Sequence, residues 1–294
     1  MEMAQAHRRL GAKVTVLEAF QPLGKDDPEL TAIVLDHLRD EGIDIRAGAK
    51  ITGIARAGKS KNVEITLEGD EGKSEKLSGS HLLVAAGRVA NVDGLNLEAA
   101  GIEYDRRGIK VDKGLRSTNR KVYAIGDVAG GLQFTHVAGY QAGLVIKSVL
   151  FRLPVTNETK IIPWVTYTDP ELAHIGLTGA QATDSHPGHK ILRWHFAEND
   201  RARAERKITG LIKAVVSAKG EILGCSIVAP NAGDLIQPWA MAISSGLKIK
   251  AMIDMVAAYP TLSEVSKRAA TSYYADLPSK PMVRRIIGWL KIFG

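Results

Sequence analysis

Between Lys121 and Val145 the chain reads KVYAIGDVAGGLQFTHVAGYQAGLV, residue types and spacing that suit a ligand carrying hydroxyls and phosphates. The β-branched and apolar run Val122–Ile125 predicts a short strand ending at Gly126-Asp127, and Thr135–Leu150 has the spacing of a helix. A carboxylate at the C-terminal end of a strand, here Asp127, accepts hydrogen bonds from sugar or ribitol hydroxyls. The backbone of Gln133, Phe134, Thr135 and His136 opens the helix, where N–H groups without intrahelical partners can meet a pyrophosphate. Ala124, Gly126, Ala129, Gly130 and Gly131 are small enough to let a flat ligand reach the main chain. A plainer reading stands beside this one, in which Asp127 is only an N-cap.

A second acid sits near the start. Met1–Arg9 predicts a helix with Met3, Ala6 and Leu10 on one face; Gly11 closes it, and Val14–Leu17 is a strand ending at Glu18. Helix, glycine, strand and acid form the second half of a βαβ dinucleotide-binding unit. Glu18 is placed for adenosine ribose hydroxyls, and its charge repels a 2′-phosphate, which favours NADH over NADPH. Arg8 and Arg9 precede the acid and are poorly placed to clamp such a phosphate. The first half of the unit, a strand with G-x-G-x-x-G, is expected upstream of Glu2 and does not occur in the sequence.

At 294 residues the chain has room for two cores, and its 45% hydrophobic and 24% charged content is that of a globular protein. The net charge of +7 is spread among 32 acids and comes with only 5% aromatics, so a nucleic-acid surface is not expected. Cys225 is the single cysteine, which excludes an internal disulfide or a cysteine cluster, and in EILGCSIVA it reads as a core residue. His186, His189 and His195 show no metal-ligand spacing, so no metal site is expected. No apolar run spans a membrane and no signal peptide is visible, which points to a cytoplasmic protein.

The elements follow from periodicity. Pro28–Arg39 is an amphipathic helix through Leu30, Ile33, Val34, Leu35 and Leu38, stopped by Gly42. Ile43–Ile45, Lys50–Ile54 and Val63–Leu67 predict strands, Glu68–Ser80 a polar loop of a β-meander, and His81–Ala86 a buried strand leading to Gly87. Gly87 lets a dinucleotide lie against the backbone; for Arg88 a cofactor contact and a surface ion pair both stand open. Asn91–Arg120 is loop-rich and Pro154–Lys160 a linker. Beyond it, strands at Ile161–Thr168, Lys190–Phe196, Gly210–Ser217 and Ile222–Ala229 precede helices at Asn231–Ser245, Lys248–Met255 and Ser263–Tyr274, an α+β pattern.

Five stretches in order carry a resemblance: RLGAKVTVLE near the start, AAGRVAN at 85–91, AIGDV at 124–128, YTDPELAHIGLT at 167–178 and YPTLSE at 259–264. Together they resemble the FAD-dependent pyridine nucleotide–disulfide oxidoreductases, the family of dihydrolipoamide dehydrogenase, glutathione reductase and mercuric reductase. The resemblance implies an α/β fold: a partial Rossmann-like NAD-binding domain (1–90), a partial FAD-binding region (91–155), an α+β dimerisation domain (156–275) and a basic amphipathic tail (276–294). It implies a homodimer passing electrons from NAD(P)H through FAD to a disulfide or metal substrate. By the same resemblance Glu2 follows the last glycine of the missing phosphate loop, while Asp127 and Gly126 belong to the second flavin motif.

Relatives acting on disulfides carry a histidine base where this chain has Tyr259, oriented by an acid retained here as Glu264. A phenol titrating near ~10 is a poor base at neutral pH. Tyr259 with Glu264 then orients groups at a dimer interface, or Tyr259 only packs there. Tyrosine at this place resembles mercuric reductase, whose C-terminal cysteine pair this chain lacks. The first flavin loop and the redox-active cysteine pair are also absent, so the expected reading is a fragment rather than a chain that has lost catalysis. Two alternatives stand: a membrane-peripheral NADH:quinone-type dehydrogenase, and a non-catalytic dimerising remnant. In the tail, Val283, Ile286, Ile287, Leu290 and Phe293 share a helical face beside Arg284, Arg285, Lys291 and the amphipathic Trp289. Peripheral membrane contact and packing on its own domain or partner are both open.

Overall fold

In the computed structural model, which describes residues 1–56, 62–69 and 73–292, the chain divides into two compact units. One comprises Met1–Ser80 with Pro163–Gly294, the other His81–Ile162. The sequence boundaries at 90/91 and 155/156 therefore lie ten and seven residues from the places where the units part, 80/81 and 162/163.

The first unit opens with α1 (Glu2–Arg9), β1 (Thr15–Glu18), α2 (Pro28–Asp40) and β2 (Asp44–Ala47), β1 and β2 pairing in parallel across the helix between them. Asp27 starts α2 by accepting the Glu29 N–H at 3.1 Å, with Pro28 in the first turn where its missing N–H costs nothing. Leu30, Val34 and Leu38 are fully buried along one face. In α1 the expected apolar face is not the buried one: Met3 and Leu10 are exposed and Gln5 is buried. Gln5 goes inside because polar partners wait there, Glu41 and the backbone of Asp169.

Then β3 (Ile51–Arg56), β4 (Val63–Glu68) and β5 (Ser74–Gly79) form an antiparallel meander. Its third strand lies inside the predicted polar loop. The buried strand expected at His81–Ala86 is instead irregular and exposed, with no strand pairing, and Val84 is 73% accessible. Apolar content asks for cover, but a strand exists only where a neighbour supplies the ladder.

The second unit contains a small hairpin, β6 (Tyr104–Asp105) with β7 (Gly108–Ile109), a 3-10 turn over Gly126–Ala129, and α3 (Thr135–Phe151). Leu97, Ile102, Ile109 and Ala124 form its buried core. The strand predicted at Val122–Ile125 shrinks to one bridge, Arg116 with Tyr123, because its partner segment runs alongside for too few residues.

The first unit resumes with β8 (Trp164–Thr166), β9 (Glu171–Gly176), α4 (Gly179–Ser185), β10 (Lys190–His195), α5 (Asp200–Ala204), β11 (Leu211–Val216) and β12 (Ile222–Ala229). The five strands make one antiparallel sheet in the order β10-β11-β12-β9-β8. Helices α6 (Ala232–Leu235), α7 (Gln237–Ser244), α8 (Ile249–Asp254) and α9 (Glu264–Thr271) follow, and α10 (Pro281–Leu290) comes last.

Antiparallel sheets commonly leave one face wet. Here both are covered, which is why β11 is buried at every position. Ile175, Ile212, Ala214, Val216, Cys225 and Ile227 face the core that includes Trp239, Ile249 and Ala269 from α7, α8 and α9. Leu172, Leu211 and Val228 face Leu30, Val34 and Leu38 of α2. On that second face Lys213 is nearly buried and reaches Asp27 at 2.8 Å and Glu29 at 2.7 Å. Arg193 also grips Glu29, and this guanidinium together with Lys213 pulls the Glu29 carboxyl down to about 2.

Candidate functional site

Ser117 donates its N–H to Val122 O at 2.9 Å and Ala124 donates to Leu115 O at 3.1 Å, and the second of these paired runs delivers the chain to Gly126. At Gly126 φ is +67°, and its N–H donates to Oε1 of Gln141 at 2.7 Å. Gln141 is buried within α3, a polar residue among small and apolar ones, so the helix grips the turn directly. A Cβ on Gly126 would stand 3.0 Å from that of Ala138, which sets how close helix and turn approach. On the other side the hairpin packs backbone against backbone. A Cβ on Gly108 would lie 2.3 Å from Val128 O, and one on Gly130 would lie 2.6 Å from Arg107 O. Helix and hairpin thus clamp the turn that carries Asp127.

Asp127 itself is exposed, and its carboxylate accepts no hydrogen bond among the described residues. Ile125 precedes the 3-10 turn and Phe134 precedes α3, and neither helix has a side-chain cap. The plain N-cap reading of Asp127 therefore fails. Phe134 has no hydrogen-bonding side chain, so α3 begins without one; its ring stacks on that of His136 at 5.2 Å. Gln133 lies just before, and its carbonyl accepts from Arg88 Nη1 at 3.1 Å. Arg88 thereby ties the 85–91 segment to the helix start, a third outcome beside the two left open. Gly87 has φ +106°, with nothing within 4 Å of where a Cβ would be. Asp127, Gly126, Gln133, Phe134, Thr135, His136 and Gly87 all belong to the one unit.

Glu18 and Glu2 belong to the other unit. Glu18 ends β1 half-buried, and its Oε1 accepts the Phe20 N–H at 3.0 Å, which orients a carboxylate that meets no cation among the described residues. Glu2 is engaged structurally, accepting the Tyr167 N–H at 2.6 Å. Tyr259 is 70% exposed and donates its hydroxyl to Asp200 Oδ2 at 3.0 Å rather than to Glu264. That bond to a carboxylate holds the phenol above its ordinary range. Glu264 opens α9 and lies 3.5 Å from the Thr261 N–H.

Sequence reasoning passed over Gln141, Gly108 and Asp200. A lone glutamine inside an apolar helical run was the available signal for the first; the other two declare themselves only through partners distant in sequence. Cys225 is fully buried in β12, where burial pushes its thiol up and removes it from redox chemistry. His186 and His189 bond locally, to Ser185 Oγ and to His186 O. Among the described residues no group of three or more His, Cys, Asp or Glu side chains stands in metal-binding proximity. Two open hollows of about 460 and 410 Å³ between Lys110 and Val155 include none of the candidate residues.

The model of the pyridine nucleotide-disulphide oxidoreductases matches residues 1–142, and that of their dimerisation domain matches residues 162–270. A mercuric reductase from Lysinibacillus sphaericus is 34% identical over 280 residues, covering 94% of this chain and 51% of the relative. A dihydrolipoyl dehydrogenase from Chlorobaculum parvum is 33% identical over 284 residues, 95% of this chain and 59% of the relative. Among solved structures, the HOCl-induced flavoprotein disulfide reductase RclA from Escherichia coli superposes with a TM-score of 0.83 at 28% identity, over 92% of this chain and 61% of that one. The chain spans about half the length of the curated mercuric reductase it matches.

Proposed function

The chain belongs to the pyridine nucleotide-disulphide oxidoreductase family, and from that premise we propose that it supplies part of the cofactor sites and the pairing surface of a flavoprotein that carries electrons from NAD(P)H through FAD to a disulfide or a metal ion. One observation carries this reading. Asp127 is an exposed acid with no hydrogen-bond or ion-pair partner among the described residues, held on a doubly clamped glycine turn beside a helix start that no side chain caps. Those are groups that suit a ligand with hydroxyls and phosphates: a fixed acceptor, the N–H donors of a helix start, and no capping side chain in the way.

FAD fits this part of the chain: Asp127 would accept from its hydroxyls and the backbone at the start of α3, Gln133–His136, would face its phosphates. Bound there, the flavin supplies a two-electron exchange that no amino-acid side chain provides. The residues themselves position and hold. Gln141 fixes the Gly126 N–H, Arg88 fixes the Gln133 carbonyl, and the Arg107-Gly108 hairpin prevents the turn from sagging. Glu18, oriented by the Phe20 N–H and meeting no cation among the described residues, would receive ribose hydroxyls and repel a 2′-phosphate, so NADH is the favoured nicotinamide donor.

Tyr259 is a hydrogen-bond donor fastened to Asp200, which suits positioning at an interface better than proton transfer. The five-stranded sheet with its helices is the segment that matches the dimerisation model, and the reading includes a homodimer and a cytoplasmic location. The quinone-type alternative draws nothing from the mercuric reductase and dihydrolipoyl dehydrogenase likenesses.

Quenching of FAD fluorescence by the purified chain tests the assignment. Saturable binding is expected, weakened about ten-fold or more by Asp127→Ala, the loss typical of a hydrogen bond to a charged group. Because Asp127 has no partner among the described residues, that variant should melt like the parent. Absence of saturable binding, or equal affinity in the variant, would remove Asp127 from the site.

A further inference from the structure

Helix α10 contributes none of the candidate site residues. Its neighbourhood, Leu277–Ile292, contains Lys280, Arg284, Arg285 and Lys291 and not one acid. At about 100° per residue, Met282, Val283, Ile286, Ile287, Trp289 and Leu290 fall in one arc, and Arg284, Arg285, Gly288 and Lys291 in the other. Phe293, expected on the apolar face, lies outside the described residues.

A helix with such a stripe ordinarily turns it to a core. This one packs on the 3-10 turn just before it, Leu277–Ser279, and has no buried residue along its length. Met282 is 71% accessible and Leu290 54%, while the cations make no ion pair among the described residues. Among the described residues no helix is long and apolar enough to cross a membrane.

We propose that α10 lies in the plane of an anionic lipid bilayer surface, its Met282–Leu290 stripe among the acyl chains and its arginines and lysines among the headgroups. The charge pattern selects this occupant. An isologous contact between two copies would set four cations against four, and the acid just before the segment, Asp276, is paired with Lys190 at 3.7 Å. An anionic headgroup layer offers apolar depth and negative charge at once, and a tryptophan beside the boundary suits both. The proposal stands independently of the flavin reading.

The test is co-sedimentation of the full chain with vesicles of phosphatidylcholine alone and with about one third phosphatidylglycerol, followed also by tryptophan emission. Binding to the anionic vesicles should be about ten-fold or more tighter than to the neutral ones and should weaken with salt. Arg284→Glu with Arg285→Glu, and separately Ile287→Glu, should each reduce it about ten-fold or more. Lys207→Glu with Lys219→Glu, the same charge change on exposed residues elsewhere, should leave it nearly intact. Equal binding to both vesicles, no binding, or equal losses in the two charge-reversed variants would overturn the proposal. So would finding that removal of residues 281–294 dissociates a dimer while vesicles bind neither form.

Discussion

Replacing Gly108 by alanine should loosen the turn that presents Asp127, because a methyl group there has nowhere to go. The added Cβ would stand 2.3 Å from Val128 O and 2.9 Å from Gly130 N, both backbone atoms, whereas ordinary contact begins at 3.4 Å. Hairpin and turn must therefore separate by about 1 Å. Overpacking of this kind costs about 1–3 kcal/mol. The residue also sits at φ +131°, and holding a non-glycine residue in so sparsely populated a region adds about 1–3 kcal/mol. A loss of roughly 2–6 kcal/mol from the unit is expected. Gly131→Ala is the control: its φ is +77° but nothing lies within 4 Å of the new Cβ, so only backbone strain of about 1–2 kcal/mol applies. Trp164, Trp194, Trp239 and Trp289 all belong to the other unit, so tryptophan fluorescence would be blind to the change. Amide hydrogen exchange read by mass spectrometry on peptides spanning Gly126–Phe151 is the suitable assay. Protection lost in Gly108→Ala no faster than in Gly131→Ala would refute the packing argument.

Lys213→Met should destabilise the first unit by about 3–5 kcal/mol, since it strands the buried Asp27 carboxylate. Adding Asp27→Asn, which keeps a cap for α2 while removing the charge, should recover all but about 1 kcal/mol in urea denaturation followed by tryptophan fluorescence. A double variant no more stable than Lys213→Met would contradict this. Glu29 gives a pH signature: its folded value near 2 lies below the ordinary 4.5, so its contribution is present above pH 4.5 and is lost as pH falls toward 2. Glu29→Gln should flatten that decline, and because Glu29 is more than a third exposed, added salt should flatten it too.

What could be seen in the sequence was whatever announces itself locally. Asp27-Pro28 and the Leu30–Leu38 spacing are a start signal and a stripe, and α2 formed accordingly. The Gly126-Asp127 turn and α3 were legible for the same reason. Strand β5 was hidden because Ser74–Gly79 is polar and mostly exposed; it exists only through its ladder with β4. Its mirror image is the segment 81–86, apolar enough to suggest a core strand yet outside every strand ladder. Helix α4 carried a readable signal, the Thr178–Gln181 capping box, but over too short a segment to show a stripe. Asp200 and Gly108 were invisible, and Gln141 showed only as a lone polar residue in an apolar run, because each is defined by a partner 15 or more residues away, or by a backbone approach that no local pattern encodes.

The buried glutamine of α1 has a consequence of another kind. Gln5 accepts the Asp169 N–H and donates to the Asp169 carbonyl, each at 2.8 Å, and gives a further proton to Glu41. Its side-chain amide therefore behaves as a borrowed peptide unit, a strand one residue long reaching across from a helix. Hydrolysis of the amide to an acid leaves the outline of the side chain unchanged but deletes both donated protons, strands the Asp169 carbonyl and sets a new negative charge against Glu41. This corner of the molecule therefore tells an amide from an acid of the same outline.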